Sequence, residues 1–343
     1  MSSLIVEVCE IEKVLPHQNA ERLELAQIKG WQCVVPRGRY QAGDLITYVP
    51  VDSIVPDALA ERLGVAKYLS RGRVRCARLR GEPSFGLVFD RENDAWPAGT
   101  DVREHYGIQK YIPPVKLSAG DAEAAHPLFV SYTEIENMRN FPAVFTPGEP
   151  VIATEKIHGT NARVGLIVED GHAVEMAGSK QIRRKRPAEI AGDLYWFPWT
   201  VPGVRELLFE VVEGDQHATQ VILFGEVFGR VQSLRYGHDR DLCFRAFDLL
   251  IDGRYVDSEE FAALCSRFGI ERVPHVFAGP FDLRKIREVS DGPSLVAGAD
   301  HIREGVVVKP VRARTDPKIG RVILKYVGDT YLFGESISDT QDV

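Results

Sequence analysis

Residues 154–161, Thr-Glu-Lys-Ile-His-Gly-Thr-Asn, lie between two apolar segments at 151–154 and 163–168. Both segments are rich in β-branched residues, which predicts two strands with Lys156 at the end of the first and Gly159 in the turn between them. A lysine held at such a turn and crowded by other cations can lose its proton near neutral pH and become an amine nucleophile. An ordinary strand-end lysine is the alternative, because Lys-x-x-Gly is a common string that recurs at 325–328.

Five further motifs follow Lys156 along the chain. They read Gly178-Ser179-Lys180, Phe224-Gly225-Glu226, Phe244-Arg245-Ala246-Phe247-Asp248, Glu304-Gly305-Val306-Val307-Val308-Lys309-Pro310 and Arg321-Val322-Ile323-Leu324-Lys325. As an ordered set they resemble the motifs of the covalent nucleotidyltransferases, the superfamily of ATP-dependent ligases and mRNA capping enzymes. The string Glu-Lys-Ile-His-Gly-Thr-Asn is most similar to that of the nick-sealing RNA ligases, and the resemblance covers roughly residues 127–333.

This resemblance implies an ATP-dependent RNA ligase that seals 3′-hydroxyl/5′-phosphate nicks in duplex nucleic acid. The implied reaction passes through a covalent lysine–AMP intermediate and an adenylylated 5′-phosphate. ATP and a divalent metal, Mg²⁺ or Mn²⁺, are the implied cofactors, and a nicked RNA duplex or RNA–DNA hybrid is the implied partner. Two alternatives stay open. One is a GTP-dependent guanylyltransferase of the capping type, and the other is a non-catalytic RNA-binding protein with a relic core.

The resemblance also assigns roles to individual residues. The implied catalytic positions are the nucleophile Lys156, the metal-binding acid Glu304, and two lysines that reach the α-phosphate, Lys309 and Lys325. Glu226 matches the acid that binds the ribose hydroxyls. Phe244 matches the aromatic residue that stacks on adenine, with Phe247 as the alternative. The remaining implied nucleotide contacts are Glu155, Ile157 and Lys180, together with Lys309 and Lys325.

A further group of residues is assigned to the nucleic acid. It comprises His158, Asn161, Arg183, Arg184, Arg73, Arg75 and Arg78. Clusters of arginine can hold phosphates by charge, although a solvated face or loop is the alternative. One position departs from the family pattern, because Val327 stands where many relatives carry a second lysine. Either a single lysine suffices, or Arg321 or Lys318 takes the place of the second.

Short strands with turn residues between them fill the first 115 residues. We expect strands at 4–14, 24–28, 32–35, 45–49, 74–79 and 85–89, and a helix at 57–63. Strands at this spacing predict a small closed barrel. The strings Pro16-His17-Gln18-Asn19-Ala20-Glu21-Arg22-Leu23, Gly43-Asp44-Leu45 and Leu79-Arg80-Gly81-Glu82-Pro83-Ser84-Phe85-Gly86 resemble the OB-fold module that binds tRNA beside some aminoacyl-tRNA synthetases. That resemblance implies a nucleic-acid face, and a structural spacer is the alternative.

The chain therefore divides into an OB-fold module at 1–115, a linker at 116–126 and a nucleotidyltransferase domain at 127–343. Residues 111–127, which contain the linker, are rich in proline and alanine without apolar periodicity. Beyond it we expect strands at 221–228, 243–251, 305–311 and 321–327, mixed with a few helices near 204–212 and 257–269 and without βαβ alternation. The second of these helices begins with a capping box at Asp257 and Glu260. The predicted fold class is α+β, an N-terminal OB-fold β-barrel followed by an ATP-grasp-like ligase core of antiparallel sheets and helices.

Composition sets broader bounds. The chain has 343 residues, of which 44% are hydrophobic and 27% charged, as in soluble globular proteins. A net charge of −7 argues mildly against indiscriminate nucleic-acid binding. Five cysteines without close pairs predict neither a disulfide framework nor a zinc cluster. No membrane span or signal peptide is evident, and the cysteine usage makes a reducing cytoplasm the expected location. We also expect a monomer.

Overall fold

A computed structural model describes residues 4–113, 121–214 and 218–334. They form two compact units. The first contains residues 4–113, 136–143 and 332–334, and the second contains residues 121–135, 144–214 and 218–331. Residues 116–120 of the predicted linker lie outside the described residues. Glu123, near its end, donates its backbone N–H to the carbonyl of Arg183 within the second unit.

The first unit consists mainly of short strands. They are β1 (Glu7–Glu10), β2 (Lys13–Pro16), β3 (Leu23–Ile28), β4 (Trp31–Pro36), β5 (Leu45–Val49), β6 (Ser53–Ile54), β7 (Cys76–Leu79), β8 (Glu82–Phe85), β9 (Leu87–Asp90), β10 (Gln109–Lys110) and β11 (Glu136–Asn137). The helices of this unit are α1 (Asp57–Arg62) and α2 (Arg103–Tyr106), and a 3₁₀ turn spans Ala66–Tyr68. The helix predicted at 57–63 therefore corresponds to α1.

Antiparallel pairing joins most of these strands into small sheets. β5 lies between β1 and β9, while β2, β3 and β4 form a meander. The predicted single strand at 4–14 is wrong, because the chain changes partners within it. The N–H of Ile11 bonds to Asp44 beside β5, whereas the N–H of Glu12 bonds to Gln27 in β3. A strand that switches partners in this way forms a corner between two sheets.

Residues 136–143 belong to the first unit although they follow the predicted linker. They pack on the β3–β4 turn, where Lys29 and Gly30 have φ angles of 53° and 73°. Arg139 Nη1 donates to the carbonyl of Gly30 at 2.8 Å, and Trp31 Nε1 donates to Asn140 Oδ1 at 2.9 Å. The first unit is therefore not one continuous stretch of sequence.

The second unit contains longer strands and most of the helical residues. Its strands are β12 (Pro150–Glu155), β13 (Thr160–Glu169), β14 (His172–Ser179), β15 (Arg183–Arg184), β16 (Gln220–Gly229), β17 (Leu242–Ile251), β18 (Arg254–Tyr255), β19 (His275–Pro280), β20 (Gly305–Pro310), β21 (Thr315–Asp316), β22 (Gly320–Arg321) and β23 (Leu324–Val327). Its helices are α3 (Val204–Glu213), α4 (Ser258–Phe268) and α5 (Leu283–Ser290), and a 3₁₀ turn spans Phe197–Thr200. In the last described helix, α6 (Asp329–Phe333), residues 329–331 belong to the second unit and residues 332–333 to the first.

Two sheets of this unit are relevant to function. The six-stranded sheet has the order β15-β14-β13-β16-β17-β18. In the second, called here the lysine sheet, β12 lies between β19 and β20, and β23 pairs with the other edge of β20. One face of the six-stranded sheet is buried under α3 and α4. The other face meets the lysine sheet, because Phe224 and Ile222 pack in one cluster with Val307 and Ile323. The volume enclosed by these two faces is called the intersheet region below.

Several local predictions for this unit need correction. The helix predicted at 257–269 forms as α4, with Asp257 at its N-cap and Gly269 left-handed at its end, φ 68°. The predicted capping box is wrong, because the Asp257 side chain makes no capping hydrogen bond. The strand predicted at 321–327 is divided between β22 and β23, with Val322 and Ile323 between them.

No helix within the described ranges is long and apolar enough to cross a membrane. All five cysteines are free thiols. Burial raises the pKa of Cys9 and of Cys265 to about 12 and that of Cys76 to about 11, so these thiols are unreactive at neutral pH.

Candidate active site

Lys156 directly follows β12, at the edge of the intersheet region. Its backbone N–H donates to the carbonyl of Gly305 at 2.9 Å, which continues the pairing of β12 with β20. Its ammonium Nζ lies 2.6 Å from Glu304 Oε1, and the Glu304 side chain is only 1% exposed. The predicted nucleophile and the predicted metal-binding acid are therefore in direct contact.

Glu304 also binds His158. The second carboxylate oxygen of Glu304 lies 3.3 Å from His158 Nδ1. Burial alone would raise the pKa of Glu304, but the charge of Lys156 and the hydrogen bonds from His158 and Lys156 hold it below its usual range. Glu304 is therefore an ionised carboxylate with two neighbours that can donate protons.

A loop between β16 and β17 holds the turn that carries Lys156 and His158. Tyr236 in this loop accepts a hydrogen bond at its hydroxyl from the backbone N–H of His158 at 2.7 Å. Gln232 Nε2 donates to the carbonyl of Gly159 at 3.4 Å, and Ser233 Oγ lies 3.3 Å from His158 Nε2. Tyr236 is fully buried and has a φ of 55°, a backbone conformation that is rare for bulky residues. Strain of this kind persists only where the surroundings fix it.

Gly159 is required in the turn because the chain runs directly against β16. A Cβ atom built on Gly159 would lie 2.4 Å from the carbonyl oxygen of Val227 and 2.9 Å from Cγ of Glu226. This close approach also shows that Glu226 lies beside the turn.

Strand register fixes which side chains face the intersheet region. Asn161, Glu226 and Arg245 are cross-strand neighbours on β13, β16 and β17, and they share the face of Phe224. Asn161 Oδ1 is buried and makes no hydrogen bond with the described residues. On this face an acid and an amide therefore lie next to the Lys156 turn.

Phe244 differs from its predicted role. It pairs with Val227, the neighbour of Glu226, and is therefore on the opposite face of the sheet. There it is 4% exposed, with its ring in the core beneath α3 and α4. Phe244 cannot stack on a base bound beside Glu226. Phe247 is partly buried in the intersheet cluster, with its ring 5.0 Å from that of Tyr132.

The two phosphate lysines have different surroundings. Thr154, Val307 and Lys325 are cross-strand neighbours on β12, β20 and β23, so Lys325 is on the intersheet face of the lysine sheet. It is level with Thr154, which precedes Lys156 by two residues. Lys309 pairs instead with Ile152. Ile152 precedes Lys156 by four residues, a distance of roughly 13 Å along an extended strand. Its ammonium donates to the carbonyl of Phe247 at 3.2 Å and lies 3.5 Å from Asp248 Oδ1. The prediction that Lys309 reaches the same phosphate as Lys156 does not fit this position.

Asp248 is the centre of a buried network that the sequence did not single out. Its Oδ2 accepts hydrogen bonds from Tyr132 Oη and Arg321 Nη1, each at 2.7 Å, and its side chain is inaccessible to solvent. Burial alone would raise the pKa of Asp248, but Lys309 and Arg321 hold it below its usual range. Arg321, one candidate to replace the missing lysine at Val327, is thus bound to Asp248. The other candidate is Lys318, which is exposed on the turn between β21 and β22.

Glu155 and Ile157 point away from the intersheet region, because alternate residues of a strand face opposite sides. The Glu155 carboxylate accepts hydrogen bonds from Ser294 Oγ at 2.6 Å and from the Leu295 N–H at 2.7 Å. Ile157 packs with Tyr236 in a small apolar cluster. Their side chains therefore support the turn, and the nucleotide contact expected of these two residues stays a prediction.

The remaining basic candidates are mostly in contact with other side chains. Lys180 Nζ lies 2.7 Å from Glu134, and Arg183 lies 2.9 Å from Glu123. Arg184 packs on the ring of Tyr195 at 4.7 Å. These side chains lie on or next to β15, at one edge of the six-stranded sheet.

In the first unit the predicted arginine cluster does not act as one set. Arg73 donates to Asp52 Oδ1 at 2.5 and 2.8 Å and stacks on Tyr111 at 3.8 Å. Arg75 and Arg78 are exposed, and Arg78 donates to the carbonyl of Gly81 at 3.1 Å. Arg73 therefore stabilises the unit, which differs from its predicted role as a phosphate contact.

The residues that sequence reasoning missed are Tyr236, Asp248 and Arg163. Asp248 belonged to a quoted motif, and a carboxylate inside the apolar string Phe-Asp-Leu-Leu-Ile signals a buried charge that needs partners. Arg163 is likewise a charged residue between two apolar ones, Ala162 and Val164, which indicates a buried charge. Tyr236 lies in a loop, where no periodicity indicates burial.

Comparison with known proteins defines the class of each unit. Residues 5–91 match a family model for an OB-fold domain, and residues 149–327 match the RNA ligase family model. Together these matches define a nucleotidyltransferase core preceded by an OB-fold module. The chain belongs to the RNA ligase family. The predicted fold class and family resemblance are confirmed. No curated protein matches the chain.

Solved structures of Naegleria gruberi RNA ligase share this fold over nearly the whole chain. An apo lysine-to-alanine variant aligns with a TM-score of 0.71 and 24% identity, covering 96% of this chain and 97% of that one. A lysine-to-methionine variant with AMP and Mn aligns with a TM-score of 0.70 and 24% identity, covering 96% and 98%. At this identity the likeness establishes the fold.

Proposed function

We propose that this chain is an ATP-dependent RNA ligase that joins a 3′-hydroxyl to a 5′-phosphate at nicks in duplex nucleic acid. The observation that carries the proposal is the contact between Lys156 and the buried Glu304 beside the intersheet region, which Glu226 faces from the six-stranded sheet and Lys325 from the lysine sheet. The Naegleria gruberi relatives, which were solved with ATP or AMP and Mn, support the choice of nucleotide and metal.

The reaction consists of three nucleotidyl transfers. Lys156 Nζ, once deprotonated, attacks the α-phosphorus of ATP; a P–N bond forms, the bond to the bridging oxygen breaks and pyrophosphate leaves. AMP then passes from the lysine to a terminal 5′-phosphate, forming a phosphoanhydride. Finally the 3′-hydroxyl oxygen attacks that 5′-phosphorus and AMP leaves. Negative charge moves among phosphate oxygens in every step, so cations must dominate the site.

Individual residues have distinct roles in this proposal. Glu226 accepts hydrogen bonds from the ribose hydroxyls, and Phe247, in place of Phe244, stacks on the adenine. Lys325 neutralises the α-phosphate, because it is the lysine on the intersheet face nearest the level of Lys156. Lys309 and Arg321 hold Asp248 at the inner end of the intersheet region.

Glu304 is the residue that would hold a divalent cation. Within the described ranges no group of three His, Cys, Asp or Glu side chains has the arrangement of a metal cage. This donor set fits Mg²⁺ or Mn²⁺, since such hard cations use one or two carboxylates together with substrate phosphates and water. When bound, the cation would supply positive charge to the phosphates and compete with Lys156 for the carboxylate. In its absence, the ion pair with Glu304 keeps Lys156 at the α-phosphate position.

The second and third transfers require the protein to bind nucleic acid. His158 and Asn161 lie on the turn beside the reacting phosphate, and Asn161 Oδ1 is available as an acceptor. Arg183 and Arg184 of the second unit and, independently, Arg75 and Arg78 of the OB-fold unit would contact phosphates of the duplex. A nicked RNA duplex or an RNA–DNA hybrid, bound by a cytoplasmic monomer, fits these assignments.

Covalent labelling tests the proposal directly. The protein is incubated with each of the four NTPs labelled at the α-phosphate, with Mg²⁺ or Mn²⁺, and the protein band is examined for label. ATP should label the chain and GTP should not. Labelling by GTP alone would favour a capping-type enzyme, and the lack of any label would indicate a relic core.

A further inference from the structure

Arg163 is a buried arginine in the middle of β13. It is 3% exposed, and it pairs with Phe224 on β16, so its side chain lies in the intersheet region. Its guanidinium carbon lies 4.5 Å from the ring centre of Phe129. No acid partners it: Nε and Nη1 make no hydrogen bond within the described residues.

The neighbouring buried cations differ from Arg163. Arg321 and Lys309 both contact Asp248, which satisfies them with a full negative charge. Burial alone would lower the pKa of Arg321, but Asp248 raises it above the ordinary value. Burial lowers the pKa of Arg163 to about 10, so its guanidinium is nonetheless charged at neutral pH. The site therefore holds a charged donor without an acceptor.

An unsatisfied buried charge is costly to a folded protein. Apolar residues of similar volume are usually as stable or more stable at such positions. Arg163 has an apolar environment that would accept methionine, because Phe129, Phe224 and Met176 belong to the same cluster. Retaining arginine in that environment is explained if a ligand supplies the missing acceptor.

The position of Arg163 indicates which part of a ligand it meets. Asn161, two residues earlier on the same face, is the cross-strand partner of Glu226. Arg163 is therefore about 7 Å further from the Lys156 turn than the ribose-binding acid. A nucleotide with its α-phosphate at Lys156 and its ribose at Glu226 directs its base toward this level.

We propose that Arg163 is a nucleotide-recognition residue that donates a hydrogen bond to a ring nitrogen of the ATP adenine. The inference rests on the proposed function for the orientation of the nucleotide. Adenine offers unprotonated ring nitrogens as acceptors, and a charged donor in a dry site makes a stronger bond than a neutral one. The interaction contributes to ATP binding and leaves the transfer chemistry to Lys156 and Lys325.

The test combines stability with affinity. Arg163→Met removes the charge and keeps a long apolar side chain. The thermal midpoint of the apoprotein should rise by roughly 2–8 °C, because a penalty for an unsatisfied donor is removed. The calorimetric Kd for ATP should rise about tenfold to a hundredfold.

ATP analogues identify the acceptor. Calorimetry with 1-deaza-, 3-deaza- and 7-deaza-ATP, each lacking one ring nitrogen, should reveal one analogue that binds the native protein weakly. That analogue and ATP should bind Arg163→Met equally, since the partner of the missing nitrogen is gone.

Arg321→Met is the matched control. It removes an arginine that Asp248 satisfies, so its thermal midpoint should fall. A fall in Arg163→Met as well would overturn the inference, because Arg163 would then be structural. A rise without any loss of ATP affinity would also overturn it, since water alone would satisfy the guanidinium. If ATP binds but never labels the native protein, the proposed function fails while the Arg163 inference still stands on the binding data.

Discussion

At the scale of single residues, the geometry of Lys156 depends on Glu304. Lys156→Ala should abolish the covalent adduct with ATP, because no other lysine occupies the turn. Lys325→Ala should slow adduct formation severely without changing the fold. The measurement is labelling with α-labelled ATP, and Lys318→Ala, an exposed lysine on the β21–β22 turn, is the matched control. Labelling of Lys156→Ala at the native rate would contradict the assignment.

Phe244 and Phe247 lie on opposite faces of one strand, and their substitutions should separate stability from binding. Phe244→Ala should lower the free energy of unfolding by about 3–5 kcal/mol, since it removes a core side chain. Phe247→Ala should weaken ATP binding by about 1–3 kcal/mol, the usual contribution of base stacking. Urea unfolding and calorimetric titration of both variants check this. Weak ATP binding by a folded Phe244→Ala protein would restore the original assignment.

At the scale of secondary-structure elements, the β16–β17 loop supports the catalytic turn through Tyr236. Tyr236→Phe keeps the buried ring and removes the hydroxyl that accepts the His158 N–H. That N–H loses its acceptor, which costs about 1–3 kcal/mol. The rate of adduct formation should fall by more than the affinity for ATP does, because the turn and not the nucleotide pocket is disturbed. A matched fall in stability with an unchanged rate would indicate that Tyr236 only packs.

The Asp248 network joins β17, β20 and β22, and it predicts an acid-sensitive fold. The folded-state pKa values of Asp248 and Glu304 are lowered. Their contribution to stability is therefore fully present above the unfolded carboxyl values of about 4 and is lost as the pH falls below them. Urea unfolding between pH 3 and 7 should show this loss. Asp248→Asn should be less stable by about 3–5 kcal/mol at neutral pH, because Lys309 and Arg321 lose their counter-charge, and should have a shallower acid transition.

At the scale of the whole molecule, sealing should depend on exposed arginines of the OB-fold unit. Arg75→Gln with Arg78→Gln should weaken sealing of a nicked duplex and reduce its salt dependence, because each lost phosphate contact lowers the slope by about 0.7–0.9. Adduct formation should be unchanged. Arg73→Gln is the control, since it breaks the bond to Asp52 and should lower stability instead. Sealing by the double variant equal to that of the native protein at every salt concentration would favour a barrel that acts only as a spacer.

The sequence allowed the motif order, the α+β class and the position of the Lys156 turn to be predicted, because each depends on local pattern. It misassigned Phe244 because a β-bulge between Phe224 and Gly225 shifts the register with β17, and no propensity indicates a bulge. Lys309 and Arg73 were misassigned for a different reason. Their partners, Asp248 and Asp52, are remote in sequence, and ion pairs between remote residues are set by tertiary structure.

Residues 136–143 have a consequence for how this protein can be recombined. Trp31 and Gly30 are hydrogen-bonded to Asn140 and Arg139, so the first unit includes residues that follow the linker in the sequence. A chimaera that exchanges residues 1–115 as one cassette would separate these partners. Exchange of this module between relatives requires the peptide at 136–143 to travel with it. A single crossover in the linker would instead give a first unit in which the β3–β4 turn and residues 136–143 come from different parents.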